Sequence, residues 1–288
     1  MTAQKVRAAS CALHHDHAAQ IESPGVQTWV SRGTNFVVAV SEVKAGGRIA
    51  RPDQLDEYMV FLVDTSATVE ANGERIEAAP ETLVIVPPGK SELTAQGEGQ
   101  VISIYSDLTA DMAALAQNAA DFTQRAPEVA PLVPWPTPAD GFKLRTYKMA
   151  DHTQADSNMR IFRSTNLMVN VMKPRPVPRD VHKLSPHSHT DFEQGSLAIK
   201  GDWVHHVRYP WGPDMTTWRD DDHIEAGSPS LCVIPPKAVH TSRNTNEGGS
   251  WLFDIFAPPR VDFSIKPGAV ANNADYPLPP SVAPATAA

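Results

Sequence analysis

The chain of 288 residues has little cysteine, few aromatic residues and no excess of positive charge. Its two cysteines, Cys11 and Cys232, are too few for a disulfide framework, and we expect both to be reduced. A formal net charge of −8 argues against a nucleic acid or an anionic membrane surface as a partner. The first 20 residues lack the apolar core of a signal peptide, and no apolar run is long enough to span a membrane. We therefore expect a cytoplasmic protein that handles small molecules.

What the chain does have is an internal repeat. The segment "RIEAAPETLVIVPP" (75–88) aligns without a gap on "HIEAGSPSLCVIPP" (223–236). Two further pairs of segments align in the same order: "SRGTNFVVAV" (31–40) with "FRSTNLMVNV" (162–171), and "QVISIYS" (100–106) with "SWLFDIF" (250–256). Two copies of one fold therefore account for most of the chain.

Each copy has the pattern of β-structure. The matched segments are short, rich in Val, Ile, Leu and Phe, and bounded by Gly, Pro, Asn or Asp. The pair Asn72-Gly73 favours a tight hairpin turn. Between the copies, alanines and leucines at helical spacing predict one helix over residues 106–124.

The second copy carries histidines in a spacing that suits a metal. In "SPHSHTDFEQGSLAIKG" (185–201), His187 and His189 would face the same side of a strand, since residues two apart share a face. Far downstream, "PPKAVHTSRN" (235–244) supplies His240. Surface and core histidines also occur at this spacing, but three imidazoles brought together would suit Fe, Mn, Ni, Co, Cu or Zn.

These residues, taken in order within a β-rich repeat, resemble the two motifs of the cupin superfamily. Pro235, His240 and Asn244 fall on positions of the second motif. Lys237 replaces one motif glycine, and Gly227 lies two residues too far upstream to be the other. Neither glycine is a ligand, so we expect metal binding to survive both departures.

The resemblance covers both copies and indicates a bicupin. It implies an all-β fold of two tandem cupin barrels, each a double-stranded β-helix or jelly roll, joined by a helix and a Pro-rich linker. We place a degenerate N-terminal barrel with a polar leader at residues 1–125 and the linker at 126–140. The metal-binding C-terminal barrel follows at 141–270, and a flexible tail at 271–288.

Two neighbouring residues compete to be the fourth ligand beside His187, His189 and His240. Both Glu193 and Gln194 fit the motif counted from the histidines, but only Gln194 leaves six residues before Gly201. We favour Gln194, which would leave a divalent metal at full charge and a stronger Lewis acid than a carboxylate would. Glu193 would then be a proton-transfer base or hydrogen-bond partner, or would form an ordinary surface pair.

In the first copy no histidine stands at the motif positions. Arg51 and Asp53 stand at the positions that match the His-x-His pair. A gapless alignment of residues 56–64 on 193–201 places Glu57 opposite Gln194, and counting from "PPG" (87–89) places Glu92 opposite His240. A hard-cation site is conceivable, but the arginine favours an ion-pair cluster in a barrel that is a structural partner.

Several other side chains are candidates for the site or its surroundings. His205 and His206 follow on the next strand, where one must face inward and could contact substrate, or be a core histidine. Trp211, in the extra segment 209–223, could form an apolar wall for the substrate or pack as an edge hairpin. The cluster "HHDH" (14–17) is better explained by an exposed or crossing arm than by a metal site.

The resemblance implies a metal-dependent enzyme with one divalent transition metal per chain. Iron is the first expectation, with Mn, Ni, Cu or Zn as alternatives. We expect a dioxygenase that acts on a small enolic or aromatic substrate. A non-redox lyase, isomerase or hydrolase, and a bicupin that binds small molecules without catalysis, remain open. A homodimer is expected, with the polar leader as a possible swapped arm.

Overall fold

A computed structural model describes residues 6–124 and 126–282. The strands of the first half are β1 (Ser10–Leu13), β2 (Ile21–Ser23), β3 (Val26–Arg32), β4 (Phe36–Val43), β5 (Arg48–Gln54), β6 (Tyr58–Leu62), β7 (Ala67–Ala71), β8 (Glu74–Ala78), β9 (Thr82–Val86), β10 (Gly89–Ala95) and β11 (Gly99–Ser106), and helix α1 (Ala110–Leu115) follows them. The second half contains β12 (Arg145–Lys148), β13 (Ile161–Arg163), β14 (Met168–Val171), β15 (Gln194–Lys200), β16 (Trp203–Arg208), β17 (Asp222–Ala226), β18 (Ser230–Ile234), β19 (Val239–Asn244), β20 (Trp251–Phe256) and helix α2 (Val261–Ser264). Across the described ranges, no helix combines the length and the apolar character needed to cross a membrane.

Four antiparallel sheets build two barrels. The first barrel consists of a seven-stranded sheet, β12-β9-β6-β11-β4-β3-β2, and a four-stranded sheet, β5-β10-β7-β8. The second consists of a six-stranded sheet, β1-β18-β15-β20-β14-β13, and a three-stranded sheet, β17-β16-β19. The predicted all-β fold of two tandem double-sheet barrels is confirmed, and the strands of the repeat occupy corresponding places in the two halves.

Two strands cross the predicted domain boundaries. Strand β1, from the polar leader, pairs with β18 of the second barrel, and β12 pairs with β9 of the first. The leader is thus a crossing arm within one chain. His14 of the "HHDH" cluster is fully buried, and its Nε2 lies 2.9 Å from Ser31 Oγ.

The prediction of one helix over 106–124 is wrong. Strand β11 continues to Ser106, α1 is a short helix, and a 3₁₀ turn spans Ala119–Phe122. The backbone leaves the helix at Ala116, where ψ is 128°. The Asn118 side chain then accepts from the Arg32 N–H and donates to its carbonyl, each at 2.9 Å, and these bonds hold the chain against β3.

The largest apolar core lies between the barrels and fixes which side chains enter them. Side chains alternate along β20, so Trp251, Phe253 and Ile255 join the core shared with the first barrel. Phe61 of the first barrel makes edge contacts with both Trp251 and Phe253. The alternate residues of β20, among them Asp254, therefore face the inside of the second barrel.

The predicted linker and the predicted flexible tail have different outcomes in the structure. Residues 126–140 form neither strand nor helix, as predicted. The expectation of a flexible tail over 271–288 is wrong for its described part, since Tyr276 is 1% exposed and its hydroxyl donates to Glu57 at 2.9 Å. Residues 283–288 of the predicted tail lie outside the described residues.

Candidate metal centre

The His-x-His pair lies on a loop and not on the regular strand we expected. Between β14 and β15 the chain is irregular, and an isolated bridge joins His187 to His240 of β19. The His187 N–H donates to the His240 carbonyl at 3.1 Å, and the His240 N–H returns a bond of 2.8 Å. This bridge, and not strand alternation, brings the loop histidine to the third histidine.

Lys237 stands where the motif has a glycine, and its backbone conformation shows why a glycine suits this position. Its φ is 66°, the left-handed region in which glycine carries no steric cost. For lysine this conformation costs roughly 1–2 kcal/mol. The Lys237 N–H donates to the His189 carbonyl at 2.6 Å, so the conformation is held by a bond to the histidine loop.

Three histidines meet at the entrance to the second barrel. One ring nitrogen from each of His187, His189 and His240 lies within 4.8 Å of the others, and His189 and His240 are buried. Gln194 Oε1 lies 2.9 Å from His189 Nε2 and 3.3 Å from His240 Nε2. Ligand atoms about 2.1 Å from a metal and at right angles are about 3 Å apart, which is close to both distances from Gln194 Oε1, so these four side chains could hold a metal ion.

In His187 and His240, the ring nitrogen that faces away from the site has a backbone acceptor, as is typical of histidines that bind a metal. His187 Nδ1 and His240 Nδ1 each lie 2.9 Å from a backbone carbonyl, of Ser185 and Ala238. A donated Nδ1–H leaves the Nε2 lone pair free to bind a metal. Burial lowers the pKa of His189 to about 3 and that of His240 to about 4, so both rings are neutral at pH 7.

The Gln194 amide is held on its other side by Asp254 of β20. Gln194 Nε2 donates to Asp254 Oδ1 at 2.9 Å and to Ser196 Oγ at 3.1 Å. Ser196 Oγ in turn donates to Asp254 Oδ1 at 3.3 Å. Burial raises the pKa of Asp254 to about 7.

Glu193 faces the opposite way. Its carboxylate accepts from the Thr34 N–H at 2.7 Å and the Thr34 hydroxyl at 2.8 Å, and pairs with Arg7. The side chain is only 2% exposed, and these partners all belong to the leader and the first barrel. The expectation that Glu193 transfers protons at the metal is therefore corrected, because consecutive residues of a strand point to opposite faces.

The strand registers also correct the alignment of the two copies by one residue. Gln194 pairs with Ile234, and Tyr58 pairs with Val86. The repeat equates Val86 with Ile234, so the residue equivalent to Gln194 is Tyr58 and not Glu57. A slip of one residue exchanges the two faces of a strand.

With this register Glu57 matches Glu193, and the two glutamates make equivalent contacts. Glu57 Oε2 accepts from the Thr165 N–H at 3.2 Å, as Glu193 does from Thr34. Thr34 and Thr165 are themselves equivalent in the "RGTN" and "RSTN" segments of the repeat. We call these two reciprocal contacts, Glu57–Thr165 and Glu193–Thr34, the glutamate clamp, because each joins one barrel to the other.

In the first barrel, aromatic side chains occupy the position of the site. Tyr58 stacks on Tyr105 with centroids 4.9 Å apart, and its hydroxyl lies 3.0 Å from Ser91 Oγ. Arg51 lies over Tyr105 and forms two bonds to Asp111, of 2.7 and 2.9 Å.

The ion-pair cluster predicted there does not form. Arg51 is paired with Asp111, Glu57 faces the second barrel, Asp53 is exposed, and Glu92 lies 3.7 Å from Arg48. Within residues 6–124, no group of three His, Cys, Asp or Glu side chains has the spacing of a metal site.

A cavity of about 150 Å³ opens beside the histidines. Its wall includes Gln194, Asp254 and two arginines, Arg175 and Arg179. Arg179 donates to the Ser242 carbonyl at 3.0 Å and to a serine hydroxyl, both neutral groups. Neither arginine forms an ion pair with a carboxylate of the described residues, and Asp254 is the one carboxylate in the wall, so the two arginines outnumber it and the cavity carries a net positive charge.

The three predicted substrate contacts lie in different places. His205 faces the barrel interior and is fully buried, with Nδ1 2.7 Å from Ser242 Oγ and no partner for Nε2 among the described residues. His206 faces outward beside His223. Trp211 is 71% exposed and stacks on Trp218. None of these three side chains lines the cavity, so the structure does not place them where the expected substrate contacts would be.

Sequence reasoning missed the arginines and Asp254, although each left a signal. Arg175 and Arg179 belong to "KPRPVPR" (173–179), a basic stretch just before the histidines. Asp254 is an acidic residue inside the apolar strand "SWLFDIF" (250–256). A charged residue in such a strand must have a buried partner or a functional role.

This chain is similar in structure to solved proteins, but no similarity in sequence to a known family was found. No family profile matches the sequence, and no curated protein matches it. Oxalate decarboxylase from Lactobacillus farciminis is 15% identical, covers 87% of this chain and 86% of its own, and superposes with a TM-score of 0.57. The Bacillus subtilis oxalate decarboxylase, an enzyme with Mn(II) centres, is 13% identical over 92% of this chain and 83% of its own, with a TM-score of 0.60.

AerE from Microcystis aeruginosa is also similar, at 10% identity over 82% of this chain and 94% of its own, with a TM-score of 0.53. Identities this low establish a common fold and nothing more about activity. The chain has the fold of two tandem cupin barrels.

Proposed function

We propose that the second barrel is a metal-dependent enzyme that cleaves a small carboxylate substrate by a non-redox, lyase-type reaction. The observation that carries this proposal is a single cavity wall that combines Gln194 and two of the three grouped histidines, His187 and His240, with two arginines that lack acidic partners. The four side chains would hold a divalent transition metal, and that ion would act as a Lewis acid on a substrate oxygen. Mn(II) is the first candidate, as in the Bacillus subtilis neighbour.

Charge and size define the substrate class. A guanidinium group binds a carboxylate through two parallel hydrogen bonds, and Arg175 and Arg179 offer two such groups. The cavity of about 150 Å³ is well below the roughly 300–1,000 Å³ of sites for drug-sized ligands. An acid of a few carbon atoms therefore fits better than an aromatic substrate.

The same geometry weakens the case for a dioxygenase. That expectation depended on an apolar wall that included Trp211, and this side chain is solvent-exposed and outside the cavity. The oxalate decarboxylases that share the fold act on a small dicarboxylate, which is the kind of substrate that two arginines would bind. Both observations favour cleavage of a small acid over insertion of oxygen.

Ligand-induced thermal stabilisation tests the substrate class. We would load the protein with Mn(II) and titrate oxalate, malonate and glyoxylate, with oxamide as an uncharged control. We expect carboxylates to raise the melting temperature and oxamide to have no effect. Arg175→Ala or Arg179→Ala should weaken binding about tenfold to a hundredfold, whereas Arg75→Ala, at an exposed arginine of the first barrel, should not.

The reaction class is tested on the same samples. A substrate that binds should release carbon dioxide under argon as fast as under air, with no oxygen consumed. Turnover that consumes one oxygen molecule per substrate would contradict the lyase and restore the dioxygenase. Equal stabilisation by oxamide and by the acids would contradict the carboxylate site.

A further inference from the structure

We propose that Asp254 is a positioning residue that orients the Gln194 amide and makes an amide, instead of a carboxylate, the fourth ligand. This inference rests on the proposed metal site. It concerns the contact between Gln194 and Asp254, an acid that lies outside the sequence motif.

The hydrogen bonds allow one orientation of the amide. Gln194 Nε2 can only donate, and it faces Asp254 Oδ1 at 2.9 Å and Ser196 Oγ at 3.1 Å. If the amide turned by half a rotation, Oε1 would face a carboxylate oxygen and Nε2 would face the histidine nitrogens. That arrangement loses the Asp254 bond and removes the oxygen donor from the histidines.

The acceptor oxygen of Asp254 also selects the residue at position 194. Gln194 Nε2 donates to Asp254 Oδ1 at 2.9 Å, whereas a glutamate carboxylate has no N–H to donate. The amide therefore bonds to Asp254 on one side and presents its oxygen to the histidines on the other.

The first barrel lacks both the histidines and this acid. Ser196 pairs with Asp254 across β15 and β20, and Val60 pairs with Ser103 across the equivalent strands β6 and β11. Since Tyr58 is equivalent to Gln194, Val60 is equivalent to Ser196, and Ser103 to Asp254. The pairing thus shifts this match by one residue, because the alignment of 100–106 on 250–256 had placed Ile104 opposite Asp254. The acid therefore occurs only in the barrel whose amide needs an acceptor.

The affinity for Mn(II), measured by chelator competition, tests the role without relying on activity. Asp254→Ala should lower the affinity about 10–100-fold, the usual cost of losing a group that orients a ligand. Asp254→Asn keeps an oxygen that can accept from Gln194 and should retain most of the affinity. Ser103→Ala, at the equivalent position of the first barrel, is the matched control and should change nothing.

An exchange of the two groups tests why position 194 carries an amide. Gln194→Glu alone should bind Mn(II) more weakly than wild type, because the new side chain has no N–H to donate to Asp254 and loses the bond that orients it. Gln194→Glu combined with Asp254→Asn should recover the affinity, because the asparagine amide can donate to the glutamate. Urea unfolding of each variant without metal shows whether the fold persists. The single and double variants that carry Asp254→Asn keep the test decisive if Asp254→Ala does not fold.

The outcomes separate this inference from the function it rests on. A wild-type protein that binds no divalent metal would overturn both. Wild-type binding with no loss in Asp254→Ala, or with Gln194→Glu alone binding more tightly than wild type, would overturn the role of Asp254 and leave the metal site standing.

Discussion

At the residue scale, the chemistry of the site depends on the opposite directions of two neighbours at the start of β15, Glu193 just before the strand and Gln194 at its first position. Gln194 turns its oxygen to His189 and His240, while Glu193 reaches the first barrel. Amide and imidazole ligands add no negative charge to a bound divalent ion. In the cavity wall two arginines outnumber the single carboxylate of Asp254, which suits the anionic substrate that we propose.

The outward-facing candidates provide a prediction at this scale. We expect His206→Ala and Trp211→Ala to keep the metal content and the carboxylate-induced melting shift of the wild type, because both side chains face solvent. Metal analysis and thermal melts check this. A loss of metal in either variant would mean that the outer sheet of the second barrel is placed incorrectly.

The buried carboxyl group of Glu57 predicts how the stability of the protein changes with pH. Burial raises its pKa above the ordinary 4.5, against the opposing bonds from Thr165 and Tyr276. The unfolded chain therefore releases this proton at lower pH than the folded chain, and the Glu57 contribution to stability falls as pH rises through the interval between the two pKa values. We expect Glu57→Gln to gain stability relative to wild type from pH 4.5 upward until the folded pKa is passed, as measured by urea unfolding. A difference that does not change with pH, or that falls, would contradict this.

At the scale of elements, the glutamate clamp joins the barrels beside their shared core. Thr34→Val removes the hydroxyl bond to Glu193 and leaves a buried carboxylate with one fewer donor. We expect a loss of about 1–3 kcal/mol in the free energy of unfolding.

An exposed threonine provides the control for the clamp. Thr68 donates to Glu77 on the surface of the first barrel, so Thr68→Val should change stability by less than about 0.5 kcal/mol. Metal content should be normal in both variants. Equal effects of Thr34→Val and Thr68→Val on urea unfolding would show that the clamp does not stabilise the molecule.

The sequence predicted the elements better than their register. Short apolar segments bounded by turn residues identified the strands of both copies, since alternation and turn chemistry are local properties. The gapless alignment placed Glu57 opposite Gln194, one residue from its true equivalent, because register depends on pairing with β9 and β18. The predicted helix failed for a similar reason, since Asn118 bonds to a distant strand.

At the scale of the whole molecule, the two halves exchange strands, and no local pattern predicts this. The motifs predicted the fold type and the side chains that meet at the histidine site. The paths of the leader and of the loop that carries Arg175 and Arg179 are set by long-range contacts, so the arginines that charge the cavity were not found.

The crossing arm can be tested through its cysteine. Cys11 lies opposite Cys232 in the β1–β18 ladder. The His14 N–H donates to the Pro229 carbonyl, so by alternation the cysteines form a non-hydrogen-bonded pair, in which Cα atoms lie about 4.5 Å apart. That separation is within the disulfide range.

We expect diamide to remove both thiols and to give a product that migrates as a monomer on a non-reducing gel. A disulfide-linked dimer would show instead that the arm is exchanged with a second copy, which is the arrangement expected for a swapped homodimer. Two thiols that stay free after treatment would show that the arm does not pair with β18.

The central claim is that His187, His189, His240 and Gln194 hold one metal ion. The most direct measurement is metal content by inductively coupled plasma mass spectrometry, after reconstitution, for wild type, His240→Ala and the control His206→Ala. We predict about one divalent transition metal per chain in wild type and in the control, and none in His240→Ala. No metal in the wild type, or full occupancy in His240→Ala, would contradict the account.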